Sequence, residues 1–183
     1  MGYILGFSPV SLQIRRLSEK KALNLEAVLL KFLKCITPYV VEVIRLSCNT
    51  FAKEFRVSTS RRFEVVPIMH LAEEALKESG IKNGILHAFL PHATAALITN
   101  EYEPRVARDY LKWLRTYVPP EADWEHNMID NNAHAHIASA LIGSSRTYPV
   151  INGRIVRGTW QELMLLELDG PRNRRVIIQI IGC

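Results

Sequence analysis

Arg146-Thr-Tyr-Pro-Val-Ile-Asn-Gly-Arg-Ile-Val156 is the stretch that decides the class of fold. Asn152-Gly153 separates two apolar runs, and both residues tolerate positive φ, so the pair reads as the two-residue turn of a β-hairpin. Strands joined so tightly are antiparallel. Downstream, Trp160–Leu168 is a further extended run in which Gln161, Leu163, Leu165 and Glu167 alternate onto one face. A turn at Asp169-Gly170-Pro171 and the apolar run Val176–Ile181 follow. Upstream, Phe55 and Val57, then Phe63, Val65 and Val66, suggest two short strands around the polar turn Ser58–Arg62. Ile85–Leu90 reads as a strand interrupted by Pro91, and Ala93–Thr99 resumes the extended pattern.

Two helices fit between these strands. Residues 67–79 carry Pro67 in the first turn, a Leu71/Ala75/Leu76 face and a stop at Gly80. Residues 104–117 open at Pro104, place Val106, Tyr110, Leu114 and Tyr117 on one stripe, and end before Pro119-Pro120. The expected fold is α+β, an antiparallel β-sheet domain covered by two main helices. A boundary falls near residue 50. Residues 51–183 make the α+β domain, and residues 1–50 an N-terminal extension read as helical from the spacing of Leu23, Ala27, Leu30 and Leu33. Val176–Ile181 is apolar on both faces except at Gln179, so both faces call for cover.

A chain of 183 residues, 48% hydrophobic and 22% charged, can bury a core without disulfides. The odd cysteine count of three makes no disulfide framework and points to a reducing, cytoplasmic compartment. The longest uncharged run, Asn83–Asn100, holds Pro91 and two histidines and is no membrane span. The N-terminus lacks the pattern of a signal peptide. The net charge of +5 is no nucleic-acid signature. Residues 1–50 carry seven Lys/Arg against three Asp/Glu, whereas residues 51–183 carry sixteen against fifteen.

Chemistry concentrates in one region. Five of the six histidines, His87, His92, His126, His134 and His136, fall within fifty residues, and neutral imidazole is both a metal ligand and a proton acceptor near pH 7. On a helix Asn132 and His136 share a face while His134 and His136 diverge, whereas on a strand His134 and His136 share one. His87, inside an apolar strand, reads as a satisfied core histidine. Glu101 reads as an electrostatic aid to the following helix N-terminus. Arg172, Arg174 and Arg175 make either a phosphate clamp or a solvated turn.

Pro91-His-Ala-Thr-Ala-Ala-Leu97, Asn100-Glu101, Trp124-Glu-His126-Asn, Asp130, Asn132-x-x-x-His136-Ile and Gly143 together resemble the YjbQ-like family. Tyr148-Pro-Val-x-Asn-Gly-Arg-x-x-x-Gly-Thr-Trp-Gln161 and Asp169-Gly-Pro-Arg172…Gly182 extend the resemblance over residues 53–183. It implies a homotrimer of the secondary thiamine-phosphate synthase type, which joins a pyrimidine-methyl diphosphate to a thiazole phosphate with loss of pyrophosphate. It implies His92, His126 and His136 as ligands of a divalent metal, zinc or magnesium, with a coordination position left open. Glu101, Asp130 and Gln161 then take catalytic roles, and Thr94, Asn100, Asn132, Trp160 and Arg172 bind a small phosphorylated metabolite. No nucleic-acid or membrane partner is implied. Ala93 stands where the family carries Thr or Ser, and residues 1–50 have no counterpart in typical members. A metal-dependent hydrolase of phosphate esters, or a non-catalytic metal- or ligand-binding trimer, are the competing functions.

Overall fold

The computed structural model describes residues 48–183, so the helix expected over residues 1–50 lies outside them except at its last three positions, where Asn49 and Thr50 already belong to a strand. The element order is β1 (Asn49–Ser58), β2 (Glu64–Pro67), α1 (Met69–Ser79), β3 (Gly84–Phe89), β4 (Ala95–Asn100), α2 (Pro104–Tyr117), a 3₁₀ turn (Glu125–Met128), α3 (Ala133–Ile142), β5 (Ser145–Ile151), β6 (Arg154–Ile155), β7 (Glu162–Glu167) and β8 (Asn173–Gly182). The Asn152-Gly153 hairpin forms as its chemistry requires. Both residues take positive φ, 52° and 71°, and Val150 and Ile151 face Ile155 and Arg154 across it.

The strands divide between two sheets, in the orders β1-β8-β3-β5-β6 and β2-β7-β4, with antiparallel pairing throughout. One expected sheet layer is therefore two. Neither the turn after β1 nor the one after β7 closes a hairpin; each carries the chain from one sheet to the other. The two crossovers lie side by side. The Thr59 amide donates to the Arg172 carbonyl at 2.9 Å, and the Gly170 amide to that of Arg62 at 3.1 Å. Polar turn residues announce a change of direction, not which strand the chain pairs with next.

Leu86, Ala88, Val176, Ile178 and Ile180 of the large sheet meet Ala95, Leu97, Leu163 and Leu165 of the small one, and α1 adds Met69, Ala72, Ala75 and Leu76. A second core lies beyond the small sheet, where Ala96, Leu166 and Leu168 pack on Leu114 of α2 and on Ala135 and Ala138 of α3. The central strand β7 is thus covered on both faces, and every residue from Leu163 to Leu168 is buried. That accounts for its apolar run, interrupted only by Glu167.

Helix α3 joins the two expected helices. Asn132 stands at its N-cap, a residue type that signals a helix start, but its side chain bonds Asp130 and Asp169, and the Ala133 amide is accepted instead by Asn127 Oδ1 at 3.1 Å. Small residues compensate by letting the helix approach the sheet, where the Ser139 hydroxyl donates to the Ala95 carbonyl at 2.7 Å. At α2 the N-terminal role assigned to Glu101 falls to Glu103, whose carboxylate accepts the Arg105 and Val106 amides at 2.9 and 3.1 Å.

The outer face of the large sheet carries Ile85, Phe89 and Ile181, which are 54%, 38% and 46% exposed. His87 lies between Ile85 and Phe89 on the same face, half-buried and bonded through Nδ1 to the Thr147 hydroxyl at 3.0 Å, so it is satisfied but not in the core. No helix among the described residues is long and apolar enough to cross a membrane. Because β7 is packed from both sides, Leu165→Ala should cost about 2–5 kcal/mol of stability by denaturant unfolding. The same truncation at exposed Leu141 should stay within about 0.5 kcal/mol.

Candidate functional site

Pro91 ends β3, and the loop that follows turns back toward the crossover between the sheets, with the Leu90 amide held by the Ser144 carbonyl at 2.8 Å. There His92, Ala93, Thr94, Asn132, Asp169, Arg172, Asn173 and Arg174 line a cleft of about 580 Å³. Its floor is an ion pair. Arg174 grips both carboxylate oxygens of Glu167, Nε to Oε2 at 2.8 Å and Nη2 to Oε1 at 2.5 Å, and the two side chains are 3% and 0% exposed. Arg174 Nη2 also donates to the Thr94 carbonyl and hydroxyl, both at 3.1 Å.

Glu167 accepts further bonds from the Thr59 hydroxyl at 3.0 Å and the Leu168 and Asp169 amides at 3.0 and 2.9 Å. Burial alone pushes its carboxyl up, but Arg174 and these donors outweigh burial and hold it below the usual carboxylate range. Asp169 behaves alike. Burial raises it, while Arg172 Nη2 at 2.8 Å and Asn132 Nδ2 at 3.1 Å bring it down.

Asn132 is 4% exposed. Its Nδ2 bridges Asp169 and Asp130, the latter at 2.9 Å, and two carboxylate neighbours fix which end of the amide carries the hydrogens. The Oδ1 end is buried without a partner among the described residues. His92 accepts the Arg175 backbone amide on Nε2 at 2.8 Å. Burial, then the Arg174 charge, lowers its pKa, so it is a neutral imidazole with its proton on Nδ1.

The structure therefore gathers His92, Thr94, Asn132 and Arg172 in one cleft, with Asp130 one hydrogen bond away. The remaining sequence-derived residues lie elsewhere. His126 and His136 pair edge to face, their ring centroids 4.9 Å apart. No three His, Cys, Asp or Glu side chains among the described residues are placed to hold one metal ion, so a single chain does not bring His92 to that pair. Asn100 accepts the Glu101 amide at 2.8 Å and lines a different pocket with Tyr110 and Trp113. Exposed Trp160 and Gln161 sit in the loop before β7, where Gln161 Oε1 accepts the Gly158 amide at 2.8 Å. Glu167 and Asp169 join the site without being among the expected site residues, although Gln161 and Glu167 on one strand face read either as pocket-lining or as an exposed edge. The signal for Glu167 was present: a carboxylate in phase with Leu163 and Leu165 points into the core and must find a cation there.

A family model described as UPF0047 protein YjbQ-like matches residues 53–183. The chain belongs to the UPF0047 (YjbQ-like) family. A UPF0047 protein of Methanothermobacter thermautotrophicus is 45% identical over 134 residues, 73% of this chain and 94% of that one. UPF0047 protein YugU of Bacillus subtilis is 35% identical, covering 71% and 98%. Among solved structures, a YbjQ-like protein of unknown function from Sulfolobus solfataricus superposes with a TM-score of 0.74 at 42% identity, covering 75% of this chain and 100% of that one. A UPF0047 protein from Clostridium acetobutylicum gives 0.67 at 38% identity, covering 70% and 98%. The UPF0047 match contains every residue of the cleft and the whole Glu167–Arg174 network.

Glu167→Gln leaves the Arg174 charge buried without its counter-ion, so it should destabilise the domain by about 3–5 kcal/mol. In the unmodified protein the depressed carboxyls of Glu167 and Asp169 contribute stability that is present at neutral pH. It should fade as pH falls below about 4 and through their folded-state values. Chemical unfolding between pH 7 and pH 2 should show this loss, and it should be smaller in the Glu167→Gln variant.

Proposed function

We propose that the cleft binds a small phosphorylated metabolite and that the protein acts as a transferase of the secondary thiamine-phosphate synthase type. The observation that carries this reading is that Asn132, whose buried Oδ1 has no partner among the described residues, lines the same cleft as Arg172 and Arg174. A buried acceptor with no partner is costly unless a ligand or water supplies a donor. An N–H or O–H group beside an anionic one is thus the complement of this wall, and an aminopyrimidine diphosphate offers both. Arg172 spends Nε and Nη2 on Asp169 and keeps Nη1 to meet the departing diphosphate. Neutral His92 presents a donor, and Arg174, held by Glu167, adds positive potential without having to move.

The His126–His136 pair favours the metal-dependent hydrolase as the second reading. Two imidazoles suit zinc better than magnesium, which prefers oxygen donors. With His92 not gathered to them in one chain, further ligands would come from a neighbouring copy. A homotrimer, cyclic as most closed assemblies of identical chains are, is the proposed assembly, and the exposed Ile85, Phe89 and Ile181 are the apolar surface it would cover.

Binding of inorganic pyrophosphate by calorimetry should weaken about 10–100-fold in Arg172→Ala, the loss expected of a charge-assisted hydrogen bond. Both thiamine precursors should yield thiamine phosphate with the purified protein and not with that variant. Precursors left unconverted, together with hydrolysis of a phosphate ester abolished by His136→Ala, would decide for the hydrolase. Binding without either activity would leave a ligand-binding trimer. Light scattering at micromolar concentration should return about three times the chain mass of 20.9 kDa, and a monomer mass would remove the shared-site reading.

A further inference from the structure

Cys48 and Cys183 are 135 positions apart in the chain, yet their Sγ atoms lie 3.8 Å apart, and both are exposed free thiols. The strand register explains the meeting. Asn49 pairs with Gly182 across β1 and β8, so the next pair outward is Cys48 with Cys183. The Cys183 amide donates to the Asn83 carbonyl, and the Asn83 amide to the Cys183 carbonyl, both at 2.8 Å. The polar groups of Cys183 therefore point away from Cys48. A facing pair that exchanges no hydrogen bonds has the shorter Cα separation, roughly 4.5 Å, within the span a disulfide bridges.

We propose that Cys48 and Cys183 are a redox modification site, a dithiol that closes to a disulfide and fastens edge strand β1 to β8. The oxidant class is a peroxide. One thiolate attacks a peroxide oxygen, breaking the O–O bond and leaving a sulfenic acid and one water. The second thiol displaces the sulfenic hydroxyl, forming the S–S bond and releasing a second water. Two thiols are oxidised by two electrons and one hydrogen peroxide is reduced to two waters. A dithiol reductant reverses the bond by exchange.

The position gives the bond a consequence. β1 is an edge strand, held in the sheet on one side only, and Cys48 stands where residues 1–47 join the domain. A cross-link there closes a loop of nearly the whole domain and removes the most chain freedom from the unfolded state. At its other end β8 carries Arg174 and Arg175, so the tether is fixed to the same strand that supplies the cleft.

Treatment of the full chain with hydrogen peroxide, followed by thiol titration and non-reducing peptide mapping, tests this. Three titratable cysteines should fall to one, with Cys48 and Cys183 in a single linked peptide and Cys35 free. The oxidised protein should melt higher by on the order of 5 °C, reversibly on reduction, and Cys48→Ser should abolish both the link and the shift. Three thiols surviving the oxidant, a link that includes Cys35 or joins two chains, or a linked protein that melts no higher would overturn the proposal.

Discussion

The buried pairing of Glu167 with Arg174 is the constraint on which this domain turns. β7 and β8 belong to different sheets and are joined by five residues, so the strand ends on either side of the crossover must be held together by something other than a ladder. The carboxylate does this with five donors: two from Arg174, one from Thr59 in the opposite crossover, and the Leu168 and Asp169 amides. A charge pair taken out of water gives little net stability unless its remaining lone pairs are satisfied. Here they are, so the pair stands in the core with no unmet charge and ties β8 to the end of β7.

The cleft inherits its shape from that pair. Arg174 fixes the Pro91–Thr94 loop through the Thr94 carbonyl and hydroxyl, and the Asp169 amide bonded to Glu167 sets the turn from which Asp169 holds Arg172 and Asn132. Gly170 lets the turn close. A Cβ there would overlap the Arg61 carbonyl oxygen and crowd the Glu167 side chain. One buried carboxylate thus orients two loops and a helix N-cap.

Electrostatically the cleft is balanced yet unfinished. Arg172 and Arg174 are matched by Asp169 and Glu167, yet Arg172 spends only Nε and Nη2 on Asp169, so an anion entering the cleft meets Nη1 as a donor not already in use. What stays open is directional: Arg172 Nη1, the Asn132 acceptor and the His92 Nδ1 proton. Such a site selects by hydrogen-bond pattern as well as by charge. The His126–His136 pair stands apart in one chain, which makes oligomeric assembly a chemical question for this family as well as an architectural one.

Local chemistry made much of the fold legible. The Asn152-Gly153 hairpin, helix α2 from Pro104 to Tyr117, the αL stop at Gly80 and the extended run of β7 follow from propensities that act over a few residues. The motif residues His92, Thr94, Asn132 and Arg172, with Asp130, were also readable, and they meet. The sequence could not disclose that β1 and β2, or β7 and β8, sit in different sheets, because a turn signal does not name a partner strand. Nor did it disclose α3, whose N-cap side chain turns to Asp130 and Asp169 while Asn127 accepts its first amide. Glu167 looked like a polar residue on a strand face and became the anchor of the site only when β8 brought Arg174 against it. Amino-acid type determines what a side chain can offer; only the long-range meeting of strands decides to whom it is offered, because burial and pairing are properties of neighbours far apart in the chain.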